Sequence, residues 1–250
     1  MSDILGLEKV IEHLSKHNDC YVIIGGIATK IGLIERGFLS RETKDFDMVV
    51  LADASNNDFA HGIVNLLKDG KYQNGYSNER KSCYRFINPE TNGYPKIIEL
   101  FAKDNNKLIN HHIEKIPIAI DDEQLSAIVL NEDVFNFVKE RKTISKEGLP
   151  IVDVLGLIAL KVYAYFQNLD LYKQGKIDSK NNYNKHRSDV IRLLLSLDGN
   201  ETPINMPELL KTNCINFLEI LKGSNQILKS IPNHNVSLDT LVSLFKRIFC

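Results

Sequence analysis

The order of apolar patterns along the chain predicts an α+β protein: a mixed β-sheet domain with helices, followed by an all-α helical domain. Up to about Ile120, short β-branched runs are mixed with amphipathic helices. Beyond it come five stretches of helical periodicity with little strand signal. At 250 residues the chain is long enough for two domains, expected here over 1–130 and 131–250.

Each element has its own reason. Leu5, Leu7, Val10, Ile11 and Leu14 recur at helical spacing among Glu8, Lys9, Glu12 and Lys16, which predicts a first amphipathic helix. Cys20 to Ile24 is a continuous apolar run stopped by Gly25-Gly26 and reads as a buried strand, with a helix from Ala28 to Glu35. A strand over Phe46 to Leu51 begins at an acidic pair, and a helix follows over Asn57 to Leu67. Tyr84 to Ile87 and Ile97 to Phe101 read as strands joined by the turn-rich segment Asn88 to Pro95, a connection of the hairpin kind. The later helices are expected over Val134–Arg141, Asp153–Asn168, Lys185–Leu197, Pro207–Leu221 and Leu238–Phe249.

Composition narrows the function classes. The 31 Lys+Arg balance 32 Asp+Glu, so the chain is not a polycation built to coat nucleic acid, and 43% hydrophobic residues suffice for a real core. No window resembles a membrane span or a secretory leader. The four cysteines, Cys20, Cys83, Cys214 and Cys250, are widely spaced and read as reduced thiols, so a cytoplasmic location is expected. His111-His112 reads as a surface pair, and neither Ser179, Ser188 nor the cysteines show a nucleophile-and-base arrangement.

The informative chemistry is acidic. Asp45 and Asp47 stand two apart at a strand start, so both carboxylates point to one face while Phe46 and Met48 point to the other. Paired carboxylates repel, and a hard divalent cation relieves the repulsion, with Mg²⁺ the natural candidate. Glu99, flanked by apolar residues in a later strand, would complete a three-carboxylate site for one or two ions if the strands are neighbours. Gly25-Gly26 between a strand and a helix lets backbone N–H groups approach phosphate oxygens, although a plain tight turn explains the glycines equally well. The pair lacks the continuation of a P-loop or a dinucleotide fingerprint. Lys161 lies among Leu160, Val162 and Ala164 and must face something polar or anionic, or snorkel to the surface. Lys173, Lys176, Lys180, Lys185, Arg187 and Arg192 form a local basic stretch with Tyr172 and Tyr183 as stacking faces, or else a solvated helix face.

Ile24-Gly25-Gly26-Ile27-Ala28, then Arg41 to Val50 around Asp45-Phe46-Asp47, then Ile98-Glu99-Leu100-Phe101, taken in that order, resemble the nucleotidyltransferase superfamily. With Leu157 to Ala164 around Lys161, and Lys185-His186-Arg187-Ser188-Asp189-Val190, they look like the bacterial AbiE-type (AbiEii-like) toxin nucleotidyltransferases and their uncharacterised relatives, over about Cys20 to Leu197. The resemblance implies a Mg²⁺-dependent transfer of a nucleoside monophosphate from an NTP to an acceptor hydroxyl, with pyrophosphate released. It implies Asp45, Asp47 and Glu99 as metal ligands and catalytic acids, and Gly25, Gly26, Thr43, Lys161, Lys185 and Arg187 as the nucleotide-binding set. Asp189 would position Lys161 or a substrate group. As implied partners it brings an RNA acceptor such as a tRNA end and a cognate antitoxin protein. Alternatives on the same residues are a small-molecule acceptor, as in antibiotic-modifying enzymes, or a catalytically silent nucleotide- or RNA-binding module. The spacer between Gly26 and Asp45 is longer than in minimal members, and the third acid is Glu where Asp is more usual.

Overall fold

The structure, a computed structural model, describes residues 4–51, 57–74, 84–103, 128–232 and 234–250; Cys83, His111 and His112 lie outside them. The fold is α+β and separates into two compact units, one formed by Met1–Ile31 and Arg41–Val152 and the other by Gly32–Ser40 and Asp153–Cys250.

The first unit is built on one mixed sheet. Its helix α1 (Leu7–Leu14) buries Leu7, Val10 and Leu14, and strand β1 (Tyr21–Ile24) follows and leads into α2 (Gly25–Ile34). Then come β2 (Asp45–Val50), α3 (Asn57–Gly70), β3 (Gln73–Asn74), β4 (Tyr84–Ile87) and β5 (Ile97–Ala102). Strand β6 (Ile128–Val129), helix α4 (Glu132–Glu140), and strands β7 (Lys142–Ile144) and β8 (Pro150–Val152) complete it. The sheet order is β3-β4-β5-β2-β1-β8-β7, with β6 added beside the end of β5. Strands β2 and β5 are parallel, as are β1 and β8, while β1–β2, β4–β5, β3–β4 and β7–β8 are antiparallel.

One face of this sheet is the core. Ile23, Met48 and Leu100 lie in one row across it and Phe46, Ile98 and Phe86 in the next, all buried. Tyr21, on the same face, stacks on Phe59 of α3 at 5.9 Å between ring centroids. The opposite face carries Ile24, Asp45, Asp47, Glu99 and Arg85, each only partly buried. Strand alternation therefore puts Asp45 and Asp47 on the face away from Phe46 and Met48, as expected, and the same face turns apolar further along at buried Val22 and Val49.

The second unit is helical and includes Gly32–Ser40, which begins with the last residues of α2. It contains α5 (Val154–Lys173), α6 (Asn181–Leu195), α7 (Glu208–Lys222), α8 (Asn225–Lys229) and α9 (Leu238–Phe249). The Asp153 side chain caps α5 by accepting from the Gly156 N–H at 2.8 Å, and Ser237 does the same for α9 from Thr240. Phe217, Phe245 and Phe249 pack ring on ring in its core, with Leu210, Leu221 and Leu241 also buried.

Three sequence expectations change. The boundary expected at 130/131 lies at 152/153, because β7 and β8 add to the β1 edge of the sheet and bring residues 142–152 into the first unit. The expected scarcity of strands after Ile120 is corrected by β6, β7 and β8, runs of two or three residues too short to show a period. Helix α2 begins at Gly25 rather than Ala28, which puts both glycines inside its first turn. Among the described residues no helix is long and apolar enough to cross a membrane.

Candidate functional site

The site begins where β1 ends. Gly25 has φ +68°, a left-handed conformation that a side chain resists, and so lets the chain pass from strand directly into α2. A Cβ placed on Gly25 would stand 1.8 Å from Asp47 Oδ2 and 2.8 Å from its Cγ. A Cβ on Gly26 would stand 2.2 Å from Thr43 Oγ1. The long spacer after Gly26 thus does not separate the turn from the acids: the first residues of α2 lie directly against Asp47 and Thr43. Thr29 Oγ1 donates back to the Gly25 carbonyl at 2.7 Å and fastens the first turn. The N–H groups of that turn have no intrahelical acceptor, so this end of α2 favours negative charge.

Register gathers the acids. Ile24 faces Asp47 across β1 and β2, Asp47 faces Glu99 across β2 and β5, and Glu99 faces Arg85 across β5 and β4. Asp45 lies one row away on the same face, opposite Ile97. Two carboxylates directly opposite one another destabilise a sheet unless something compensates them. For Glu99 the compensation is Arg85, whose Nη1 donates to Oε1 at 2.6 Å.

Arg85 is the residue sequence reasoning missed. Its signal was present: counting outward from the turn between Ile87 and Ile97 puts position 85 opposite 99, and the charges are opposite. A second contact lies in the segment before β2, where the ammonium of buried Lys30 donates to the exposed carboxylate of Glu42 at 3.3 Å. It fastens the stretch that carries Thr43 to α2.

The donor set suits a hard cation in part. Asp45 and Asp47 supply carboxylate oxygens on one face, and the missing Cβ at Gly25 is what leaves room for the Asp47 carboxylate itself against the first turn of α2. Glu99 spends its carboxylate on Arg85 instead, and among the described residues no three His, Cys, Asp or Glu side chains are gathered so as to hold a metal.

The remaining predicted residues belong to the helical unit. Lys161 on α5 and Asp189 on α6 are both buried, and Lys161 Nζ donates to Asp189 Oδ2 at 2.8 Å. The polar group that Lys161 had to face is therefore a carboxylate of its own unit rather than solvent. Arg187 Nε donates to Ser224 Oγ at 2.7 Å, and burial holds its pKa below the ordinary value. Lys185 is exposed on α6, as are Lys173, Lys176 and Lys180 on the preceding turn and helix end. Tyr172 and Tyr183 are both half-buried and pack against one another. Their rings meet edge-on at 5.6 Å, and Tyr183 meets Tyr165 at the same distance and at 90°.

No family model matches the chain, and no curated protein matches it either.

Proposed function

We propose that the chain is a Mg²⁺-dependent nucleotidyltransferase that moves a nucleoside monophosphate from an NTP to an acceptor hydroxyl. The observation that carries this reading is the close approach of the Gly25-Gly26 turn to Asp47 and Thr43. That approach puts a phosphate-favouring helix end and a metal-favouring carboxylate side by side.

In this reading Asp45 and Asp47 hold the cation. Mg²⁺, when bound, offsets triphosphate charge and lowers the pKa of the attacking hydroxyl. The first-turn amides of α2 and the Thr43 hydroxyl bind phosphate oxygens. The acceptor oxygen bonds to the α-phosphorus, the bond to the β-phosphate bridging oxygen breaks, and pyrophosphate leaves with that electron pair. Glu99 stands beside Asp47 with its Oε1 held by Arg85, and its carboxylate is the base that takes the hydroxyl proton rather than a third metal ligand. The likeness to AbiE-type enzymes gives phosphate binding to Lys161, which lies in the helical unit and donates to Asp189.

The test is incubation of the purified protein with each α-labelled NTP, Mg²⁺ and either total RNA or a small-metabolite extract, run beside Asp45→Ala/Asp47→Ala. Label on RNA, lost in the double variant, establishes the transferase with an RNA acceptor. Label on a small molecule establishes it with the other acceptor class. Label on neither overturns the enzymatic reading in favour of a silent nucleotide-binding module.

A further inference from the structure

Resting on the reading above, we infer that Arg85 anchors the acceptor, so that the compound modified here carries a phosphate about 5 Å from its hydroxyl, as an RNA end and a phosphorylated small molecule both do. The row across the sheet sets the order. Asp47 on β2, Glu99 on β5 and Arg85 on β4 stand opposite one another in turn. Neighbouring strands lie about 4.8 Å apart, so Arg85 is about 10 Å along the row from Asp47, on the far side of Glu99. The NTP belongs at the Asp47 end, where Gly25 and Gly26 bring the first turn of α2 against Asp47 and Thr43. The acceptor hydroxyl belongs over Glu99, which takes its proton as the oxygen bonds to the α-phosphorus and pyrophosphate leaves with the electron pair. The part of the acceptor that points away from the NTP therefore meets Arg85.

The guanidinium has the donors for that part. Its Nη1 donates to Glu99 Oε1 at 2.6 Å, and among the described residues no other acceptor engages it. Nε and Nη2 form the other edge of the group, a two-pronged fork that matches two oxygens of one anion. Of the Arg85 side chain 37% is exposed against 15% for Glu99, so the guanidinium is the member of the pair that a ligand reaches first. Phe86–Ile98 and Ile87–Ile97 continue the strand pairing beside it and hold Arg85 in register with Glu99. The bond to Glu99 fixes the direction of the fork before a ligand arrives, which lowers the ordering cost of binding. It also occupies Oε1 and leaves Oε2 to the acceptor hydroxyl.

The experiment offers the full chain, with each α-labelled NTP and Mg²⁺, acceptors in matched pairs. One pair is a random-sequence RNA oligonucleotide with a free 3′ hydroxyl, its last linkage either a phosphodiester or an uncharged methylphosphonate. The other is a small-metabolite extract, untreated or dephosphorylated by a phosphatase that is then removed. The phosphate-bearing member of one pair should be labelled about 10- to 100-fold faster than its neutral counterpart, and the pair that responds names the source of the phosphate. Arg85→Gln should remove this preference, whereas Glu99→Gln should slow both members and keep it. A merely structural Arg85–Glu99 pair would instead slow both members alike in Arg85→Gln. Equal labelling of both members by the wild type, or a preference unchanged in folded Arg85→Gln, overturns the inference and leaves the transferase reading in place. Label on neither pair overturns the inference, and takes the transferase reading with it if total RNA also stays unlabelled. Should Arg85→Gln fail to fold, Arg85→Lys decides: it keeps the charge without the fork, so its preference should be narrower than that of the wild type, and an equal one overturns the inference.

Discussion

Replacing Gly25 by Ala separates two costs that the structure assigns to different glycines. Gly93 has φ +82° with nothing within 4 Å of an added Cβ, so Gly93→Ala measures the backbone conformation alone. A left-handed residue with a side chain costs about 1–2 kcal/mol. Restricting the unfolded chain returns about 0.4–1 kcal/mol, leaving about 1 kcal/mol net. Gly26→Ala measures space alone, because its φ is not in the left-handed range and its Cβ would meet Thr43 Oγ1 at 2.2 Å. Gly25→Ala combines both. Rotating Asp47 about χ1 moves its carboxylate but not its Cβ, which would remain 3.1 Å away, so β2 itself must yield. Overpacking of this kind costs about 1–3 kcal/mol, which brings Gly25→Ala to about 2–4 kcal/mol in urea unfolding. The displaced Asp47 should also weaken Mn²⁺ binding at least about tenfold, an effect absent from Gly93→Ala; a tenfold change corresponds to about 1.4 kcal/mol. If Gly25→Ala is no less stable than Gly93→Ala and binds Mn²⁺ as the wild type does, the glycines form a plain turn and the reasoning fails.

Lys161→Met or Asp189→Leu alone leaves one buried charge without its partner and should cost about 3–5 kcal/mol in chemical denaturation. The double variant should recover most of that, and single variants within about 1 kcal/mol of wild type would refute a buried ion pair. Burial raises the Cys214 thiol above its ordinary 9.0 and the Tyr21 and Tyr72 phenols above 10.0, so the folded chain keeps protons that the unfolded chain releases. The contribution of these groups to stability should be level below about pH 8 and fall above pH 9, approaching a slope of about 1.4 kcal/mol per pH unit for each. Cys250, raised in the same direction, adds to the loss. Cys214→Ala should flatten the slope between pH 9 and 10, and an unchanged slope would exclude the thiol as its source. Tyr21→Phe should flatten it above pH 10 and cost nothing at pH 7, because the buried Tyr21 hydroxyl has no hydrogen-bond partner among the described residues.

Elements whose pattern is complete within one segment were legible. Helices α1, α5, α7 and α9 announce themselves by apolar spacing, and β1, β2, β4 and β5 by β-branched runs or alternation. The short strands were not, since a run such as Pro150–Val152 is too short to show a period and becomes a strand by pairing with β7 on one side and with β1, more than a hundred residues earlier, on the other. The same distinction runs through the candidate site. Alternation alone put Asp45 and Asp47 on one face and Phe46 and Met48 on the other.

What the sequence determined by itself is therefore local: which residues bear charge, which face of each strand they occupy, and where glycine frees the backbone. Tertiary structure decided the rest. It set Glu99 opposite Asp47 through a parallel register that no turn specifies, and it gave Glu99 to Arg85. It laid Gly25 against Asp47 and Gly26 against Thr43 across a spacer of eighteen residues between Gly26 and Asp45. It also turned Lys161 toward Asp189. The reason is physical: side-chain direction follows from two or three neighbouring dihedrals, whereas contact between distant segments depends on which burial and pairing lowers the free energy of the whole chain.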